Sequence, residues 1–186
     1  MLNMAKLISY LSAQKNNLCL ESFLGIHRIY TPVLVQTRGV MPKVEESLSL
    51  SELGFKTAAP GTVDYSQFRE YKAPYDIRVH TLEKRAVGGL DMFISLGRAE
   101  NNDIILDHKA ASIVCAVFSK FDGFWTMKNL ARDGTVYNGE KLDYEDTLRL
   151  NDNDVINFAG EDGFSFTYLT PEAFYDYVKN FDCENY

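Results

Sequence analysis

Three cysteines and three histidines are the side chains best suited to nucleophilic or metal chemistry: Cys19, Cys115, Cys183, His27, His80 and His108. A cysteine nucleophile needs an imidazole within reach and surroundings that stabilise its thiolate. Cys115 lies in the apolar run ASIVCAVF, where a thiol behaves as a small hydrophobe. Cys19 and Cys183 lie near helical segments with no motif around them. The histidines share no metal-ligand spacing with each other or with a cysteine, and His108 reads as a solvated loop residue. The acidic run NDNDVINFAGEDG fails as a calcium loop. Counted from Asp152, position six is not glycine and position twelve is Gly163 instead of Glu. Phosphate-cradling glycine loops and a G-x-S-x-G elbow are both missing from the sequence. These residues point away from catalysis, and no cofactor or metal is expected.

The second chemistry open to the sequence is anion recognition. Arg98 follows Gly97 in ISLGRAENND, and Ser112 opens the strand-like ASIVCAVF. Arg132, Asp133, Gly134 and Thr135 form one tight turn, and Asn138-Gly139 another. An arginine fork beside a serine hydroxyl can hold a phosphate dianion. The same residues also admit plainer uses. Arg98 can pair with Glu100 or Asp103, and Ser112 can cap the turn after Lys109.

These residues need a scaffold, and 186 residues with 12 Phe and 11 Tyr suffice for a well-filled core. A net charge of −7 argues against phosphate-backbone binding to nucleic acid as the main activity. Scattered, unpaired cysteines suit a reducing, cytoplasmic setting. No apolar run is long enough to span a bilayer, so no membrane insertion is expected. The segment MLNMAKLISYLSAQKNN reads as a short amphipathic helix over about 2–15.

Texture changes near residue 73. Residues 1–73 read as an N-terminal extension of helix, strand (RIYTPVLVQT, Arg28–Thr37) and a loop rich in Ser, Glu, Pro and Gly. Residues 74–170 read as short strands: Tyr75–Leu82, Met92–Leu96, Asp103–Leu106, Ser112–Ser119, Phe124–Asn129, Val136–Tyr137, Lys141–Leu142, Val155–Phe158 and Phe164–Leu169. Turn signals separate them, among them Gly88-Gly89, Asp122-Gly123, Asp133-Gly134, Asn138-Gly139 and Asp162-Gly163. Many short strands at close spacing predict a mainly β chain, an antiparallel sandwich or barrel. Residues 171–186 add a helix and tail. Thr170 is placed to cap it, Pro171 suits its first position, and Phe174, Tyr177, Val178 and Phe181 make one apolar face.

Residues 92–169 resemble a forkhead-associated domain. FISLGRAENNDIIL resembles that family's opening strand, Gly-Arg pair and N-D-[IV]-x-[IL] run. DHKAASIVCAVF stands where the family has S-x-x-H. WTMKNLARDGTVYNGEKL and LRLNDNDVINFAG resemble its N-G-T and closing segments. The resemblance implies an eleven-stranded β-sandwich that recognises phosphothreonine in a partner protein, such as the substrate of a Ser/Thr kinase. It implies that Arg98 binds the phosphate, that Ser112 donates its hydroxyl to it, and that the 132–135 turn (Arg132, Asp133, Thr135) clamps the peptide, with Asn138 in the same constellation. Four positions depart from the pattern; at one of them Arg132 stands where the family often has Ser or Thr, and can supply a compensating positive charge or pair with Asp133. Ile113 replaces a frequent cation or Asn, Cys115 replaces a bracing His, and Asp133 replaces an Asn that both donates and accepts. Ile113, Cys115 and Asp133 motivate the alternative, a degenerate domain acting as a phosphate-independent interaction or assembly module. Charges alternate in sign across 97–135, so no strongly electropositive pocket is expected.

Overall fold

A computed structural model describes residues 4–14, 18–40, 65–85, 90, 92–132 and 134–181. The turn expected at Gly88-Gly89, Asp133, Cys183 and the loop expected over 41–62 lie outside these residues. The described chain is mainly β: thirteen strands in two sheets, with three α-helices.

The strands are β1 (Met4–Lys6), β2 (Val33–Val40), β3 (Phe68–Glu70), β4 (Arg78–Thr81), β5 (Ile94–Gly97), β6 (Ile104–Ile105), β7 (Ala116–Phe121), β8 (Phe124–Asn129), β9 (Val136–Tyr137), β10 (Glu140–Lys141), β11 (Thr147–Arg149), β12 (Val155–Phe158) and β13 (Phe164–Leu169). The helices are α1 (Leu7–Gln14), α2 (Leu20–His27) and α3 (Pro171–Lys179). One sheet runs β1-β4-β2-β13-β12-β9-β10, with β3 also on β2; the other runs β11-β8-β7-β5-β6. Pairing is antiparallel except between β5 and β6. The strand expected near residues 28–37 is therefore interior to a sheet, between β4 and β13.

Period-two burial explains the sandwich. Phe118, Met127, Ile156, Phe158 and Phe166 are buried and meet between the sheets. Burying each such side chain contributes roughly 1.5–3 kcal/mol. The opposite face of the first sheet is also apolar at Val33, Val35, Val79 and Leu169, and α1, α2 and α3 cover it with Leu7, Phe23, Phe174 and Val178. The layers run sheet, sheet, helices. Phe174 packs edge-on against Tyr10 at 5.0 Å, which locks α3 to α1. Thr170 caps α3 by accepting from the Ala173 amide, with Pro171 at its first turn, as the sequence predicts.

Several boundaries move for local reasons. Pro74 sits in a turn closed by Asp76 N–H donating to Ala73, so β4 starts at Arg78 instead of Tyr75. Residues 4–6 are extended because they pair with β4, leaving the helix to begin at Leu7. Helix α2 was not predicted; it ends where Arg28 turns left-handed at φ 55 and Pro32 precedes β2. The strand predicted from Ser112 begins at Ala116. Residues 112–115 instead bond irregularly to the end of β5 and the residues after it. His108 lies in a loop, as expected, but is half-buried: its ring packs edge-on to Phe68 at 5.3 Å, and its Nδ1 accepts from Ala110 N–H.

Candidate functional site

The Arg98 loop and the Ser112 loop touch through their backbones. Arg98 N–H donates to Ser112 C=O at 2.8 Å, and Ala99 N–H to Ile113 C=O at 3.1 Å. Gly97 permits this approach, since a Cβ there would stand 2.5 Å from the Ile113 carbonyl. The Arg98 side chain is exposed, and its Nε donates to Ala111 C=O at 3.1 Å. The guanidinium is thereby steered while its two terminal nitrogens face no carboxylate among the described residues. Glu100 makes no ion pair with it, and Asp103 is engaged elsewhere: it accepts from Lys84, the Arg85 amide and Ser95. The Ser112 hydroxyl is partly exposed and has no hydrogen-bond partner among the described residues. Neither plainer use of these two side chains is realised.

An open pocket of about 690 Å³ borders Ser112. Its lining includes Lys109, Ile113, Leu130, Arg132, Tyr144 and Ala159. Arg132 is exposed and reaches this pocket from the next loop. Among the described residues the pocket's lining holds two cations, Lys109 and Arg132, and no carboxylate. These two, from distant segments, line it together. Ile113 stands at the rim with 64% of its surface exposed.

Two of the expected site residues have partners within the protein. Thr135 is fully buried, and its hydroxyl donates to Asn129 Oδ1 at 2.9 Å, so it faces the protein and not a ligand. Asn138 has φ 49 in the β9–β10 turn; its amide donates to Asp154 Oδ1 and its carbonyl accepts from Val155 N–H. That side chain fastens a hairpin to β12 and is not gathered into the pocket. Asp133 falls outside the described residues.

The supporting residues were missed by sequence reasoning. Asn102 is 2% exposed, and its amide donates to Ala99 C=O at 3.0 Å and Ile113 C=O at 2.8 Å, stapling the Arg98 loop to the Ser112 loop. Asn129, with no exposed surface, donates to Ala131 and Asp143 and accepts from the Ala131 amide and Thr135. It shapes the loop that carries Arg132. The available signal was a polar amide where alternation asks for an apolar residue. Cys115 braces weakly: its thiol points at Ser112 C=O at 3.7 Å, and burial pushes its pKa up to about 12. It stays a neutral thiol buried in the core. Among the described residues no cluster of His, Cys, Asp and Glu could hold a metal, and no helix is long and apolar enough to cross a membrane.

The class is thus a β-sandwich whose loops at one end gather an exposed arginine, a free serine hydroxyl and two further cations. Residues 94–159 match the family model of the FHA domain, and the chain carries a forkhead-associated domain there. β2, β4 and β13 complete its first sheet from outside the matched segment. No curated protein matches the chain in sequence. Similar solved structures include Mycobacterium tuberculosis EmbR in complex with a low-affinity phosphopeptide, 25% identical with a TM-score of 0.38; the match covers 42% of this chain and only 20% of EmbR. An FHA domain of an Arabidopsis thaliana hypothetical protein is 21% identical, with a TM-score of 0.43 over 75% of this chain and 85% of that one. The N-terminal FHA domain of S. cerevisiae RAD53P, in complex with a phosphothreonine peptide, is 17% identical, with a TM-score of 0.42 over 53% and 88% of the two chains.

Proposed function

We propose that this chain is a non-catalytic adaptor that binds a phosphothreonine-containing partner, the product of a Ser/Thr kinase. The observation that carries the proposal is the juxtaposition of the Arg98 and Ser112 loops, with both side chains uncommitted to protein partners that would block a ligand among the described residues. Arg98 holds the phosphate through its terminal N–H groups, Ser112 donates its hydroxyl, and Arg132 and Lys109 add positive charge beside the peptide. Phosphate brings a charge of about −1.5 to −2 and three acceptor oxygens, which match this donor set. The match of residues 94–159 to the FHA domain model supports the reading. The binding unit comprises β2, β4 and residues 94–169, with α1, α2 and α3 as its helical cover.

A charge-assisted hydrogen bond contributes roughly 1.5–3 kcal/mol. Two from Arg98 predict at least a 100-fold loss of affinity in Arg98→Ala. Titration of the full chain with a degenerate phosphothreonine peptide library tests this. Binding equal to that of Arg98→Ala, or equal binding of unphosphorylated peptides, sinks the proposal.

A second reading rests on the exposed Ile113 at the pocket rim, where an apolar side chain gives a phosphate nothing to bond. On this reading the pocket grips an unphosphorylated apolar partner. Phosphatase treatment would then leave a pull-down intact.

A further inference from the structure

The pocket beside Ser112 is larger than a phosphate needs. It encloses about 690 Å³, while a phosphoryl group adds one phosphorus and three oxygens. Arg98 does not line it. A phosphate held between Arg98 and Ser112 therefore sits at its edge, and the remaining space faces the residues beside the phosphothreonine. Such a volume is about 9 Å across, and extended peptide advances about 3.3 Å per residue, so the space reaches about two or three residues along a bound chain.

That space is mostly apolar. Ile113 and Tyr144 are exposed at 64% and 50%, while Val114, Leu130 and Ala159 are half-buried. Single exposed apolar residues are ordinary, but these come from four separate segments and line one cavity. Lys109 and Arg132 suit a partner that brings a dianion. Asp143, Glu145 and Asp146 flank Tyr144 in the sequence, and none of them lines the pocket.

The Tyr144 ring is exposed, yet its backbone is fixed. Asp143 N–H donates to Asp146 Oδ2 at 2.8 Å, and Asp146 N–H to Asp143 C=O at 3.3 Å, which closes the turn around the ring. Asn129 ties that turn to β8. Its side-chain amide donates to Asp143 C=O, its N–H donates to Asp146 C=O at 2.8 Å, and its C=O accepts from Glu145 N–H at 2.9 Å. The same side chain holds the loop of Arg132, so the ring and the cation share one anchor. Two residues here keep a left-handed backbone that a Cβ disfavours: Glu145, next to the ring, at φ 70, and Ala159 in the lining at φ 64. Gly160 N–H donates to Gly134 C=O at 2.6 Å and ties the turn of Ala159 to the Arg132 loop. Such strain persists only where the surroundings impose it, and it gathers at ligand clamps. An aromatic ring fixed in advance is a suitable seat for a partner's apolar anchor, because little freedom is lost on binding.

We propose that Tyr144 sets the sequence preference of the phosphothreonine site. With Ile113 and Leu130 it receives a large apolar side chain that the partner carries within about three residues of its phosphothreonine. This inference rests on the phosphothreonine reading and adds which phosphorylated segments are taken. Ile113, which gives a phosphate nothing to bond, becomes a contact for the neighbouring side chain.

The probe is a degenerate phosphothreonine peptide library, varied at the three positions on each side and captured by the full chain. Leu, Ile, Met or Phe should be enriched at one of those positions over Gly, Asp and Lys. The selected peptide and its counterpart with Ala at that position are then titrated against the full chain by fluorescence anisotropy. The apolar residue should tighten binding at least tenfold, and Tyr144→Ser should bring that ratio close to one. Ile113→Ser should shrink the ratio as well. Both substituted side chains are exposed, and Ile113→Ser keeps the test open if Tyr144→Ser misfolds. Phosphate-dependent capture without an apolar preference, a preference for Asp or Glu, or a ratio unchanged in both variants overturns the inference and leaves the phosphothreonine reading standing. Capture that ignores phosphate overturns that reading and the inference with it.

Discussion

Asn129 gives the sharpest test of how the Arg132 loop is held. Its side chain makes four hydrogen bonds with no surface exposed: two donated, to Ala131 at 3.2 Å and Asp143 at 2.8 Å, and two accepted, from the Ala131 amide at 3.1 Å and Thr135 at 2.9 Å. A neutral hydrogen bond contributes roughly 0.5–1.5 kcal/mol net, and a buried partner left unsatisfied costs about 1–3. Asn129→Ala should therefore cost about 3–4 kcal/mol. Thr135→Val keeps the shape and removes only the last bond, at about 1 kcal/mol. Once the Asn129 amide is gone, the Thr135 hydroxyl has lost its acceptor, so the second substitution should cost almost nothing more. The coupling across the double-mutant cycle is then about 1 kcal/mol, read from urea unfolding of the four proteins. Phosphopeptide affinity should also fall in Asn129→Ala, because the loop that aims Arg132 loses its anchor. If Thr135→Val costs as much in the Asn129→Ala background as in the native chain, the loop is not held in this way.

Three other outcomes follow from single contacts. Cys115 should resist iodoacetamide at pH 8 in the native chain while exposed Cys19 reacts, because burial raises the Cys115 pKa to about 12; equal labelling rates with the fold intact would contradict the buried placement. His80, hydrogen-bonded to Gln36 Oε1 at 3.1 Å, has its pKa lowered from 6.5 to about 3 by burial, so below pH 6.5 the unfolded chain takes up a proton that the native chain refuses. Its contribution to stability is complete above pH 6.5 and should fall by about 1.4 kcal/mol per unit down to about pH 3, a slope missing in His80→Gln when urea midpoints are compared across pH. Gly134→Ala should destabilise by at least about 2 kcal/mol, since φ is +76 and a Cβ would stand 2.7 Å from Gly160 N; an unchanged unfolding midpoint would show that the loop relaxes freely.

The sandwich strands were legible because their pattern is strong and local. Phe124–Asn129, Val155–Phe158 and Phe164–Leu169 alternate cleanly and end in turn residues. Helix α3 was legible from its cap and apolar face. What escaped depended on distant partners. Met4–Lys6 has helical spacing, but the free edge of β4 draws it into a strand. Ser112 sits in an apolar run that looks like strand, yet Asn102 and Arg98 hold it in a loop. Arg98 and Ser112 were singled out by residue type, and the structure brings their loops together. Thr135 and Asn138 were singled out on the same grounds and have other tasks, because a turn motif does not tell which way its side chains point. Asn102 and Asn129 were overlooked because a buried amide owes its role to carbonyls that sequence spacing does not bring into view.

Charge shows the same separation between composition and place. A chain of −7 should repel a phosphorylated partner at long range. Asp103, close to Arg98 in the sequence, is buried at 3% exposure and neutralised by Lys84 at 2.9 Å and by Arg85 and Ser95 donors. Asp154 is likewise engaged by Tyr137, Asn138 and the Asn151 amide. Carboxylates tied up as structural acceptors project little field, whereas Arg98, Lys109 and Arg132 remain uncommitted to carboxylates among the described residues. Screening over about 8 Å at physiological salt then makes the local cations outweigh the distant net charge. Binding of a phosphopeptide should accordingly weaken with added salt, since short-range attraction governs it. Affinity that rises with salt would mean that the net negative charge prevails and that the pocket is not the contact.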